Sequence, residues 1–132
     1  MKNIISTDKA PAAIGPYSQA VEVNGLVFTS GVVPIDPATG ELVTGPAEVQ
    51  AERAFKSLKA LLEAAGSSTA NVIKTTVFIS DMNDFGKIND AVLCDFSGSA
   101  TNYHYYGIKF TASYSHRIDG INWTNMYVQF YK

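Results

Sequence analysis

Between Ala20 and Thr29 the chain alternates at a period of two. Val21 and Val23 flank Glu22, Asn24-Gly25 interrupts, and Leu26-Val27-Phe28-Thr29 resumes an apolar, β-branched and aromatic run. That rhythm predicts two strands, and Asn-Gly between them predicts a type I′ hairpin, because both central residues of such a turn need positive φ. Upstream, Lys2 to Ser6 reads as a short strand, and Pro11 keeps the connection from Lys9 to Ala13 extended. Downstream, Val32-Val33-Pro34-Ile35 is expected to carry a strand toward a sheet edge, where proline is tolerated, before Asp36-Pro37-Ala38-Thr39-Gly40 turns the chain. From Pro46 to Ala65 the period becomes helical, with Val49, Ala54, Phe55, Leu58, Leu61, Leu62 and Ala65 on one side and Gly66 suited to the C′ position. Val72 to Ser80 is a β-branched run of strand length. Asp81-Met82-Asn83-Asp84 offers capping groups to a second helix, with Phe85, Ile88, Val92, Leu93 and Phe96 at helical spacing. The order predicts an α+β sandwich, a mixed sheet with two helices on one face.

Composition narrows the class of protein. At 132 residues, one domain over 1–132 is expected, and 46% hydrophobic with 17% charged residues is a folding composition. A net charge of −2 without a basic run gives no footprint for a nucleic-acid backbone, so no nucleic-acid partner is expected. Cys94 is the one cysteine, so no disulfide forms within the chain, and the usage suits a reducing, cytoplasmic setting. Met1 to Asp8 carries only a two-residue apolar patch, too short for a signal peptide, and no run reaches the length of a membrane span.

The chemistry is carried by blocks. Ile14-Gly15-Pro16-Tyr17-Ser18-Gln19-Ala20 is followed by Phe28-Thr29-Ser30-Gly31, then by Ile35-Asp36-Pro37-Ala38-Thr39-Gly40-Glu41-Leu42-Val43, by Asn71-Val72-Ile73-Lys74-Thr75-Thr76-Val77, and by Asp81-Met82-Asn83-Asp84-Phe85 to Ile88-Asn89. Together they resemble the RidA/YjgF family of small enamine and imine deaminases over about residues 1–90. The resemblance implies a homotrimer with ligand sites in the subunit clefts, no metal or organic cofactor, and hydrolysis of a 2-imino or 2-enamino acid to a 2-keto acid and ammonia. It also implies that Tyr17, Ser30, Gly31 and Asn89 stand around the ligand. Each has a plainer reading: Tyr17 as an anchor for its loop, Ser30-Gly31 as a strand end, Asn89 as a cap.

Past about Asp90 the resemblance stops. Six of the seven tyrosines, the one tryptophan and both histidines follow Phe96. Ile108, Phe110, Ala112 and Tyr114 still alternate, as do Met126, Val128 and Phe130, and Asp119-Gly120 offers a turn between them, so two terminal strands are expected. The Pro-Ala-Arg segment and Val-Glu-Ile-Glu strand that such relatives use for carboxylate and water are missing. Arg117 stands in the expected turn and Gln129 is the nearest polar substitute. This departure makes impaired activity one expectation, and a non-catalytic small-metabolite binding or interaction module the alternative. A one-base shift across Gly107 to Ala112 permits Val-Ser-Ser-Leu-Pro, similar to the family's segment there, without placing an Arg at its spacing. A frame error in the tail is therefore a further reading. His104 and His116 make no metal set, and Cys94 reads as an inert thiol.

Overall fold

In the computed structural model of the chain, residues 1–89 and 129–131 are described. Strand β1 (Lys2–Ile5) pairs with β2 (Ala20–Val23), which pairs with β3 (Leu26–Thr29), both antiparallel. Asn24 at φ 52° and Gly25 at φ 78° make the expected turn between β2 and β3. The Glu22 carboxylate closes it by accepting the Gly25 N–H at 2.7 Å.

The long helix α1 (Ala47–Ala64) follows, then β4 (Lys74–Thr76), which pairs antiparallel with β5 (Gln129–Tyr131). The expected last strand is therefore present at its C-terminal end. A second helix starts where expected. Asp81 accepts the Asn83 N–H at 2.9 Å over a 3₁₀ turn (Met82–Asp84), and α-helix runs from Phe85 through Asn89. The rest of that helix to Phe96, the strand at Ile108–Tyr114, the Asp119-Gly120 turn, Cys94, Arg117 and both histidines lie outside the described residues.

All strand pairs among the described residues are antiparallel, in place of the expected mixed sheet. A two-residue turn permits no other pairing for β2 and β3. The α1 crossover delivers β4 to β5 rather than to a parallel neighbour in the first sheet. β5 nevertheless lies beside β3. Two further expectations shorten. Val32–Ile35 forms no strand: Pro34 has no N–H to donate, and the Val33 carbonyl is taken by the Ile35 N–H at 2.8 Å. Only an isolated bridge from Ile35 to Leu42 remains, closing a loop in which Asp36 and Glu41 pair through their backbones. The run Val72–Ser80 keeps three ladder residues, the number that β5 matches.

Helix α1 supplies the centre of the core. Ala51, Ala54, Phe55, Leu58, Leu61 and Leu62 are buried against Ala20, Val27, Val77 and Ile88. Val49, expected on this stripe, is instead 42% exposed, and Ala51 and Ser57 take the inner positions. Val49 stands roughly two and a half turns from Leu58, which puts it on the opposite face of the helix, whereas Ala47, one turn before Ala51, packs on the core. Ser57 is buried without cost because its hydroxyl accepts from Arg53 Nη2 at 3.0 Å. At the C-terminus, Gly66 at φ 72° donates to Glu63 O and Ser67 N–H reaches Leu62 O, a Schellman ending of the kind Gly66 predicts.

On the outer surface of α1, Lys56 lies 2.6 Å from the Glu52 carboxylate one turn earlier. This hydrogen bond, with the ammonium charge behind it, holds Glu52 below its ordinary value. A group lowered on folding contributes stability above its unfolded pKa and loses it as pH falls through the folded pKa. Both side chains are about half exposed, so the gain is small. Lys56→Gln is expected to move the Glu52 titration midpoint upward, as followed by carboxyl-carbon NMR, with little change in thermal midpoint at neutral pH.

Candidate functional site

The hairpin positions the site. Its ladder extends one residue past the strands, because the Ser30 N–H donates to Gln19 O at 3.0 Å. That contact brings Ser30-Gly31, leaving β3, beside Tyr17-Ser18, entering β2. The Ser30 hydroxyl donates to Ser18 O at 2.6 Å and fixes the two segments together. Tyr17 N–H is held by Gly15 O at 2.8 Å, and its ring folds back over Gly15. The side chain is still 48% exposed.

Two cavities open on either side of this pair. One, of about 580 Å³, runs between the Ala10-Pro11-Ala12 segment, Ile14, the Val32–Ile35 loop and Leu61 of α1. The other is a cleft of about 700 Å³ bounded by Lys2, Pro16, Ser18, Val21, Phe28 and Phe78. Tyr17, Ser30 and Gly31 line both. Three of the four residues expected at a ligand therefore meet. Asn89, half-buried on the second helix, lines neither cavity. Lys2 is the one charged side chain among the described residues lining them. Among the described residues no group of three or more His, Cys, Asp or Glu is placed to hold a metal, and no helix is long and apolar enough to cross a membrane.

Sequence reasoning missed Gln19. It is 7% exposed, and its amide does the work of an absent strand partner. Oε1 accepts the Thr7 N–H at 2.7 Å, while Nε2 donates to Thr7 O at 3.1 Å, Ala10 O at 3.2 Å and Pro11 O at 2.7 Å. The backbone from Thr7 to Pro11 has left the sheet and would otherwise hold unpaired groups. One primary amide both accepts and donates, so it substitutes for a peptide unit. The signal was available: a Gln directly before a strand whose neighbouring segment, with Pro11, cannot itself pair.

The sequence pattern of the Endoribonuclease L-PSP family, to which the RidA/YjgF proteins are assigned, matches residues 7–104. This chain belongs to that family. It is 50% identical over 99 residues to the mouse 2-iminobutanoate/2-iminopropanoate deaminase, covering 75% of this chain and 73% of the mouse protein. Among solved structures, a putative endoribonuclease of Thermotoga maritima superposes with a TM-score of 0.80 at 39% identity, over 99% of this chain and 94% of that one. E. coli TdcF, solved with bound serine, gives 0.75 at 32% identity over 98% and 94%. The α+β fold with antiparallel sheet and two helices is shared with these neighbours. Neither an impaired activity nor a non-catalytic role draws support from these relatives.

Proposed function

We propose that the chain hydrolyses 2-imino and 2-enamino acids to 2-keto acids and ammonia, at the place where Tyr17, Ser30 and Gly31 meet. The observation that carries this reading is the juxtaposition of an exposed phenol and a strand-end backbone in blocks shared with a relative named as a deaminase. A neighbour of the same fold holding serine, a small amino acid, supports a ligand of this size.

The chemistry asks little of the protein. Water adds to the imine carbon, giving a carbinolamine. Its C–N bond then breaks as the hydroxyl proton leaves, the C=O forms, and the nitrogen departs as ammonia. The Tyr17 phenol both donates and accepts, so it orients the water or the substrate nitrogen, and binding in a fixed pose supplies most of the acceleration. The substrate carboxylate needs a counter-charge, and Lys2 on the cleft wall is the cation that the described residues provide.

Assembly belongs to the same reading. On the sheet face away from α1, Ile4, Val21 and Phe28 stand in cross-strand register, next to Val23 and Leu26. Ile4 is 68% and Leu26 41% exposed, which is an apolar surface that a monomer does not keep in water. Closure of this face among three copies gives a homotrimer of single-domain subunits, working in the cytoplasm on reactive imines.

A threonine dehydratase releases 2-iminobutanoate, so the rate of 2-oxobutanoate formation in its presence tests the activity. Acceleration above buffer is expected, and Tyr17→Phe is expected to reduce it about tenfold, the equivalent of one hydrogen bond of roughly 1.4 kcal/mol. A rate equal to buffer would remove the enzyme reading.

A further inference from the structure

We infer that the 580 Å³ cavity behind Tyr17 is a side-chain compartment, and that the substrates handled best are 2-imino acids with branched or aromatic side chains. This rests on the deaminase reading and adds the substrate class to it. Three observations support it. First, the cavity is continuous with the polar contact point, since Tyr17, Ser30 and Gly31 line both it and the neighbouring cleft. A ligand whose reacting carbon sits at Tyr17 therefore directs one substituent into the cleft and another into the cavity. Second, the cavity's walls include methyl and methylene groups from Ala12, Ile14, Val33, Ile35 and Leu61, with no charged side chain among the described residues that line it. A carboxylate placed there would lose its hydration without a counter-charge, whereas the opposite cleft has Lys2. The carboxylate accordingly takes the cleft and the side chain the cavity. Third, the size exceeds what a four-carbon imino acid fills and lies within the range of roughly 300–1,000 Å³ typical of cavities for larger ligands.

The wall is also held in place. Gln19 fixes the Thr7–Pro11 backbone from below, so the compartment exists before a ligand arrives. Each added methylene that it covers is expected to raise kcat/KM roughly fourfold, the equivalent of about 0.8 kcal/mol.

The test compares 2-imino acids derived from leucine and from alanine, generated in place by an L-amino-acid oxidase, on the full-length protein. In parallel, calorimetry compares binding of the products 4-methyl-2-oxopentanoate and pyruvate. The leucine-derived imine is expected to have the higher kcat/KM by about tenfold or more, and the branched keto acid the tighter binding. Ala12→Phe, at an exposed position on the cavity wall, is expected to remove that preference by filling the space. Ile14→Ser, which leaves the space but removes its apolar wall, is expected to weaken it. Equal handling of both imines with equal keto-acid binding overturns the compartment and leaves the deaminase reading standing. So does a preference that both variants leave unchanged. Tight, side-chain-dependent keto-acid binding without hydrolysis of either imine overturns the deaminase reading and leaves the compartment. Failure of both measurements overturns both.

Discussion

Gln19→Leu is expected to destabilise the protein by roughly 3 kcal/mol while adding no void, because leucine nearly matches glutamine in volume. The loss is one of bonding alone. Four hydrogen bonds disappear, leaving Thr7 N–H and the carbonyls of Thr7, Ala10 and Pro11 to whatever water reaches them. Net values of about 0.5–1.5 kcal/mol for each bond set the scale. For a domain of this size the thermal midpoint should fall by about 10 °C. Gln19→Glu should be at least as damaging, since a carboxylate in that position faces three carbonyl oxygens with nothing to donate. Calorimetry of the three proteins checks the ranking. If Gln19→Leu unfolds within about 2 °C of the wild type, the amide is not what holds the segment.

Phe55→Ala has the largest effect expected of any single change, about 3–5 kcal/mol, against a typical total stability of roughly 5–15 kcal/mol. Phe55 has no exposed surface and lies at the centre of the α1 stripe, among Ala51, Leu58 and the strands beneath. Its removal forfeits the transfer energy of the ring and leaves a hole that rigid neighbours on a sheet fill poorly. Urea denaturation is the suitable measurement, because a shift in midpoint at constant slope separates lost stability from a changed unfolded state. A shift equivalent to less than 1 kcal/mol would mean that the core collapses around the deletion.

Much of the frame was legible in the sequence because it is local. Asn24-Gly25 is a two-residue requirement for positive φ, and Gly66 is another at a helix end. The register of Val21 against Phe28 follows from the first of them. Helix α1 showed itself by its period, apart from Val49, which falls on the face opposite Ala51, Phe55 and Leu58 and is exposed there. What sequence reasoning did not yield is long-range. Gln19 bonds residues eight to twelve positions away, so its role shows only when the inability of the distant Pro11 segment to pair is read together with it. The Val32–Ile35 run has strand composition, yet Pro34 and the local Val33–Ile35 bond prevent a ladder. For the site, block spacing brought Tyr17, Ser30 and Gly31 to attention together, and the Gln19–Ser30 backbone contact is the physical reason they meet. The cavity behind them was not legible, since its walls come from four segments separated by a loop and a helix.

The Asn24-Gly25 turn also has a consequence in time. A hairpin closed by a two-residue turn forms in about 1–10 μs, because little chain entropy is lost in bringing its arms together. Ser30 and Ser18 are twelve residues apart, at the mouth of that hairpin, so their hydrogen bond is available as soon as the arms align. The cavity wall across from them waits for α1 to dock and present Leu61. Under native conditions, amide protons in β2 and β3 should accordingly exchange later than those of the Val32–Val43 loop, whose few backbone bonds open without disturbing the sheet. The hairpin half of the Tyr17–Ser30 junction is then the slower-opening half, and the Val32–Val43 loop the faster one.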